Sequence, residues 1–260
     1  MNRTRALRFT ASALVAAGLL ATAVPSHAYR MIKNTSTGRV TSGSQVTCND
    51  IFTHWTIANI SWYHNTAGQG AGKAGALQSA MQSWTNVPGA NHVLTYAGTT
   101  SAGWATDGKN TLLWATGNGC TGSCLALTAL VLQAGQVIVE SDITFNNSQT
   151  WTTNGSNYDT EAVAAHELGH SLGIHHTNVS STPRPTMYTP YFGVDGRTLE
   201  ADDRAALQCA QSKYPVGLTC EEWCEWEYDQ CWDECLKDPY TWEWCIDYCE
   251  DDILYCLSQC

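Results

Sequence analysis

Basic side chains are scarce in this chain. Its 260 residues carry 13 Lys and Arg against 24 Asp and Glu, a formal charge of −11 with histidine neutral. A nucleic-acid partner is therefore not expected, because a phosphate backbone is met by clustered Lys and Arg. Long apolar runs are scarce too. Ala11–Val24 is one, but it is short for a bilayer, and no later run is long enough to cross a membrane. Arg3, Arg5 and Arg8 precede that run, and "SHA" follows it with Ser26 and Ala28 at small-residue positions. The pattern reads as a secretory signal over residues 1–28, with an uncleaved anchor as the other reading. A secreted, extracellular protein is the expectation.

Cysteine, by contrast, is plentiful. The 12 cysteines make an even set, which in an oxidising compartment is most simply six disulfides. Their distribution is uneven, as is that of the acid. Residues 221–260 hold 13 Asp and Glu against Lys237 alone, a charge of −12, which leaves the remainder near neutral. Eight cysteines and five of the 11 tryptophans lie in the same stretch, counted from Cys220. The shift marks a boundary near "YPVGL", where Pro215 and Gly217 interrupt the chain. The division expected is a lead-in over 29–50, a larger domain over 51–216 and a small cysteine-rich unit over 217–260.

Periodicity sketches the larger domain. Residues 29–50 are polar and read as extended. "TIANISWYH" (Thr56–His64) looks like a strand. "AGALQSAMQSWTNV" (Ala74–Val87) places Leu77, Met81 and Trp84 on one helical face. Two strand-like runs between Cys124 and Asn146 flank the turn signal Ala134-Gly135. The second alternates Val137, Val139, Ser141 and Ile143 against Ile138, Glu140 and Asp142. Helices are expected over Tyr158–Gly173 and Glu200–Lys213, and the whole suggests strands in a single sheet with one early and two late helices.

Four histidines fall within "AHELGHSLGIHH" (Ala165–His176), in a chain with eight. His166 and His170 are four residues apart, so a helix sets both imidazoles on one face, one turn apart. Zinc suits nitrogen ligands and four-coordination. Glu167 points to a different side of the helix, placed to act on water as a general base without ligating. Gly173 can adopt the left-handed conformation that turns a chain away from a helix end. His176 then follows as third ligand, and His175 falls one residue early. Three protein nitrogens leave one coordination position open, which favours catalysis over a closed structural site.

The resulting HExxHxxGxxH segment resembles the zinc motif of the metzincin metallopeptidases. "RPTMYTPYF" (Arg184–Phe192) supplies Met187 where that family has a methionine turn beneath the zinc, and its Met-Tyr pair is most similar to the matrixin branch. The hairpin from Leu125 and "LEADDRAALQ" resemble the matrixin edge hairpin and closing helix. The resemblance implies an α+β, zincin-like catalytic domain, a mixed twisted sheet with three helices. It also implies peptide-bond hydrolysis of protein or peptide substrates, with a substrate paired antiparallel to an edge strand within Leu125–Leu132. There are departures. Thr189 separates Tyr188 from Pro190, so a differently shaped wall of the specificity pocket is expected; the His- and Asp-rich loop of a second zinc is missing, so one zinc is expected. Of calcium-site positions only Asp142 fits. The cysteine motif of latent propeptides is absent around Cys48.

In the terminal unit Cys220, Cys224, Cys231 and Cys235 repeat their spacing at Cys245, Cys249, Cys256 and Cys260. Offsets of 0, 4, 11 and 15 fall within about sixty degrees of helical arc, so each set is a stripe. Two antiparallel helices folded about Tyr240 bring Cys220–Cys260, Cys224–Cys256, Cys231–Cys249 and Cys235–Cys245 level. The arrangement resembles the twin CxxxC helical hairpin, a disulfide-stapled α-hairpin; a metal cluster is the other reading. Of the remaining four cysteines, Cys120 pairs with Cys124 across a short loop, leaving Cys48 with Cys209. The leading function is a secreted zinc endopeptidase whose acidic tail docks on a substrate or surface. The competing one is an inert zinc-binding or adhesion protein that acts through its tail.

Overall fold

A computed structural model describes residues 28–235 and, beyond them, 245, 248–250, 253, 254, 256 and 257. The signal-like segment 1–27, the turn about Tyr240 and the Cys220–Cys260 pair lie outside the described residues or side chains. Among the described residues, no helix is long and apolar enough to cross a membrane.

The strands are β1 (Arg30–Lys33), β2 (Gly38–Val40), β3 (Ser44–Val46), β4 (Asn59–Asn65), β5 (Val93–Thr100), β6 (Asn110–Ala115), β7 (Ala126–Leu132), β8 (Ile138–Asn146), β9 (Trp151–Thr152), β10 (Tyr158–Asp159) and β11 (Ile174–His175). The helices are α1 (Ala74–Thr85), α2 (Thr160–Ser171), α3 (Ala201–Lys213) and α4 (Cys220–Cys235). The fold is α+β, with a mixed sheet of order β2-β7-β8-β6-β4-β5 at its centre. Strands β5, β4, β6 and β8 run parallel, and β7 and β2 are antiparallel additions at one edge. The expectation of a single sheet is corrected: β11-β1-β3 and β10-β9 form two further small sheets.

Residues 29–50 are more than a lead-in. β1 pairs with β11 and β3, while β2 pairs with β7, so the segment is built into the domain. A Cys48–Cys209 disulfide ties its end to α3, and the Ala28 and Tyr29 main-chain N–H groups donate to Asp202 Oδ1 at the start of that helix. Because β2 covers Leu130–Leu132, only the first part of β7 remains an open edge.

Strand β8 is buried on both faces, which its alternation did not foretell. Glu140 and Asp142 sit beneath the 101–109 loop, where Ala105, Asp107 and Gly108 N–H groups donate to their carboxylates. Arg39 Nη2 on β2 reaches both acids, at 2.9 and 2.8 Å. One guanidinium thus bridges two buried acids and balances one of their charges, and burial pushes Asp142 up to about 6 despite that partner. Val139 is exposed at the register shift between Val131 and Leu132, which puts the chain out of simple alternation there.

Helix α2 begins at Thr160, two residues later than Tyr158, because Asp159 is its cap. The Asp159 carboxylate accepts from Ala162 N at 3.0 Å and is gripped by Arg197. The helix is buried on nearly every side by Ala162, Val163, Ala164, Ala165 and Leu168. Trp84 of α1 lies against it and donates from Nε1 to the Ala165 carbonyl at 2.8 Å. This core contact holds the histidine-bearing helix against α1.

In the terminal unit α4 carries Cys224, Cys231 and Cys235, bonded to Cys256, Cys249 and Cys245. Thiols close enough to group around a metal are thus engaged in disulfides. Cys120 is bonded to Cys124.

Candidate metal centre

Three imidazoles converge at the end of α2. His176 Nε2 lies 3.1 Å from His166 Nε2 and 3.0 Å from His170 Nε2. The ring orientations are set from behind. His166 Nδ1 is 2.7 Å from the Thr186 carbonyl and His170 Nδ1 is 2.8 Å from the Ile174 carbonyl. A carbonyl only accepts, so each Nδ1 carries the proton and each Nε2 turns a lone pair inward. With the Nε2 of His176 they make a three-nitrogen donor set that suits zinc. The rings are poor bases here. Burial, with charge from His166 and His175, pushes His176 down to about 4. Burial, then His166 and His176, carries His170 well below its usual value. Both are neutral at physiological pH, the form that ligates.

The turn that delivers His176 depends on Gly173. Its φ is +83°, and a Cβ there would run into the Thr53 carbonyl. Its own carbonyl accepts from Ile32 N at 2.8 Å, which holds β1 against the turn. His175, one residue short of the cluster, faces away, with Nδ1 3.2 Å from Gln45 Nε2.

Met187 is 1 % exposed and packs on Gly169, where even a Cβ would collide with its sulfur. The turn that carries it hangs on Asp203, whose carboxylate accepts from Thr186 N at 2.8 Å, Met187 N at 3.0 Å and Glu200 N at 2.7 Å. Asp203 therefore supports Thr186, whose carbonyl orients His166. The sequence reading had not singled out this residue. Its only local signal was the capping-box pattern with Glu200.

Glu167 is buried, and Thr128 Oγ1 of β7 lies 2.6 Å from its Oε2 and 3.0 Å from its main-chain oxygen. Burial raises its pKa, against the pull of His166 and the Thr128 hydrogen bond. Thr128 also escaped the sequence reading, since a threonine in a strand carries no motif. Two cavities meet at Glu167 and His176. One, of about 220 Å³, is lined by Leu125, Val163, Tyr188, Tyr191 and Phe192. The other, of about 240 Å³, lies between β7 and residues 40–43.

Residues 54–210 match the family model of the matrixins, peptidase family M10. The chain belongs to the matrixin family. Among curated matrixin relatives it is 48 % identical over 63 residues to karilysin of Tannerella forsythia, covering 24 % of this chain and 12 % of karilysin. It is 35 % identical over 92 residues to interstitial collagenase of Equus caballus, 34 % of this chain and 19 % of that protein. It is 45 % identical over 65 residues to human neutrophil collagenase, 25 % of this chain and 13 % of the relative. The matrixin chain described here thus spans less than a fifth of the length of each of these relatives. Zinc is the metal of the matrixins, and the His166, His170 and His176 cluster is able to bind a metal ion.

Proposed function

We propose that the chain is a secreted zinc-dependent endopeptidase in which His166, His170 and His176 hold the metal and Glu167 is the general base. The observation that carries this reading is the convergence of three Nε2 atoms beside a buried carboxylate. Zinc, when bound, supplies the Lewis acidity that activates water and polarises a carbonyl. Glu167 takes the proton of the attacking water on a carboxylate oxygen and delivers it to the leaving amine nitrogen. Thr128 holds that carboxylate, and burial keeps it a stronger base than an exposed glutamate. Met187 supports the site as its apolar floor and takes no part as a ligand. The substrate backbone lies extended and antiparallel along the open start of β7, adding a strand to the sheet. A side chain just beyond the cleaved bond enters the cavity lined by Leu125, Val163 and Tyr191.

The test is hydrolysis of an unfolded protein such as casein, with and without a zinc chelator. Glu167→Ala should lower kcat/KM by about three orders of magnitude or more with zinc content unchanged. Activity surviving that substitution would falsify the mechanism. Absence of any hydrolysis by the zinc-loaded parent chain would instead leave the competing reading, an inert zinc-binding protein, to be tested through the tail.

The acidic tail docks the enzyme on a basic substrate or surface, a role supported by its charge of −12. Deleting Leu218–Cys260 should spare cleavage of a short soluble peptide and weaken attack on a large basic protein, more so at low salt. A several-fold rise in peptide cleavage would instead make the tail an inhibitory cover.

A further inference from the structure

Residues 30–46 connect the two sides of the cleft at one end. β1 pairs with β11, one residue from the ligand His176, and β2 pairs with β7, the open edge strand. The chain that leaves β2 towards β3 passes beside the histidine cluster, where Val40, Ser42 and Gly43, with Ile32 of β1, wall the cavity. The crossing is tied down. Asn34 Nδ2 donates to the Ser42 carbonyl at 2.6 Å, and Asn34 Oδ1 accepts from Ser36 N at 2.9 Å. Gln136 Oε1 accepts from Asn34 N at 3.0 Å. Arg39 pins β2 to β8 through Glu140 and Asp142. Gly43 is required at the turn, because a Cβ would lie 2.6 Å from the Ile32 side chain.

We propose that this strap sets substrate specificity: it limits a bound peptide to about three residues on the N-terminal side of the cleaved bond. The inference rests on the peptidase reading for the direction of the substrate. A peptide antiparallel to β7 carries its N-terminal side towards Leu130, and there Val40 already occupies the edge. Glu167 is bonded to Thr128, so the cleaved bond lies close to that level of the strand. Between Thr128 and Leu130 an extended chain advances ~3.3 Å per residue, room for about two residues, with a third against the strap. On the other side of the histidine cluster β7 begins without β2, so the C-terminal side of the substrate meets no such wall.

The experiment uses the zinc-loaded full chain and the hydroxamates acetyl-(Ala)n-NHOH, with n from one to six, measured by calorimetry. Such compounds anchor on zinc and extend to the N-terminal side, so their affinity reports the wall without catalysis. Affinity should rise through about n = 3 and then stay within twofold. A further rise of more than about threefold between n = 3 and n = 6 overturns the proposal. Arg39→Glu repels Glu140 and Asp142 and should lift β2, raising the n = 6 to n = 3 affinity ratio about fivefold or more. If that variant does not fold, Ser42→Trp is the alternative, at an exposed position on the wall. It should lower the n = 3 to n = 1 ratio about fivefold, and an unchanged ratio sinks the idea. Peptide substrates of matching lengths separate the two readings. If no peptide is hydrolysed but the affinity series still stops at three, the peptidase reading fails and the strap stands. If hydrolysis proceeds and kcat/KM climbs to n = 6, only the strap fails. Absence of any hydroxamate binding overturns both.

Discussion

In the matrixin domain Trp62, Trp84, Phe52 and Phe145 are fully buried in one continuous core, whereas among the described residues of the tail the buried cluster is Cys235 and Cys249 with Tyr228, Cys231, Trp232 and Cys245 around them. The domain has enough apolar surface to close on itself, and its own two disulfides, Cys48–Cys209 and Cys120–Cys124, fasten loops to an existing core. The tail is short and strongly acidic, and a chain of that size buries too little to offset its conformational entropy. Its cross-links stand in for a core. The difference also separates function. Among the described residues, every group placed at the metal centre lies in the domain.

Full reduction should break this comparison open most widely. Opening Cys224–Cys256, Cys231–Cys249 and Cys235–Cys245 should abolish amide protection across α4. Opening Cys48–Cys209 costs the domain up to about 5 kcal/mol of chain-closure entropy, but its apolar core remains. Hydrogen exchange followed peptide by peptide decides the matter. Protection of α4 that persists in reductant, or loss of α2 protection together with α4, contradicts the contrast.

Glycine substitutions sharpen the domain side. Gly169→Ala puts a methyl into Met187 and Trp84, and overpacking of that kind costs about 1–3 kcal/mol. Gly173→Ala adds a left-handed backbone to a main-chain collision, so it should cost at least as much and move His176 as well. Thermal unfolding with and without zinc distinguishes them. Gly173→Ala should lose most of the zinc-induced rise in Tm, and retention of the full rise would show that the turn does not position His176.

A smaller effect concerns acid. His92 is buried, and burial above all pushes its pKa from 6.5 to about 4. The unfolded chain takes up its proton as pH falls through about 6.5, while the folded protein resists until about 4. The stability held in the neutral ring is therefore whole above pH 6.5 and drains away towards pH 4, on the order of 3 kcal/mol. Residues 218–260 contain no histidine, so this slope belongs to the domain. Denaturant titrations at intervals from pH 7 to 4 should give a shallower decline for His92→Gln than for the parent chain. Equal slopes would mean that His92 titrates normally.

Much of the candidate centre is legible in the sequence alone, because its spacing is helical and local. His166 and His170 share a face by the 3.6-residue period, and Gly173 followed by His176 needs only a helix end and a turn. The cysteine stripes of the tail were legible for the same reason. The class of the domain followed from a resemblance carried by a dozen contiguous residues and a methionine turn. Tertiary structure alone decided which distant groups surround that segment. Thr128 meets Glu167 across 39 positions and Asp203 meets Met187 across 16, and neither pairing has a period or a motif. The double burial of β8 depends on a loop folding over it and on Arg39 reaching across β7, which alternation along one strand does not encode. The strap was likewise invisible. Polar residues 29–50 carry no strong strand signal, and they become strands because β7 and β11 present unpaired edges whose hydrogen-bonding groups require partners.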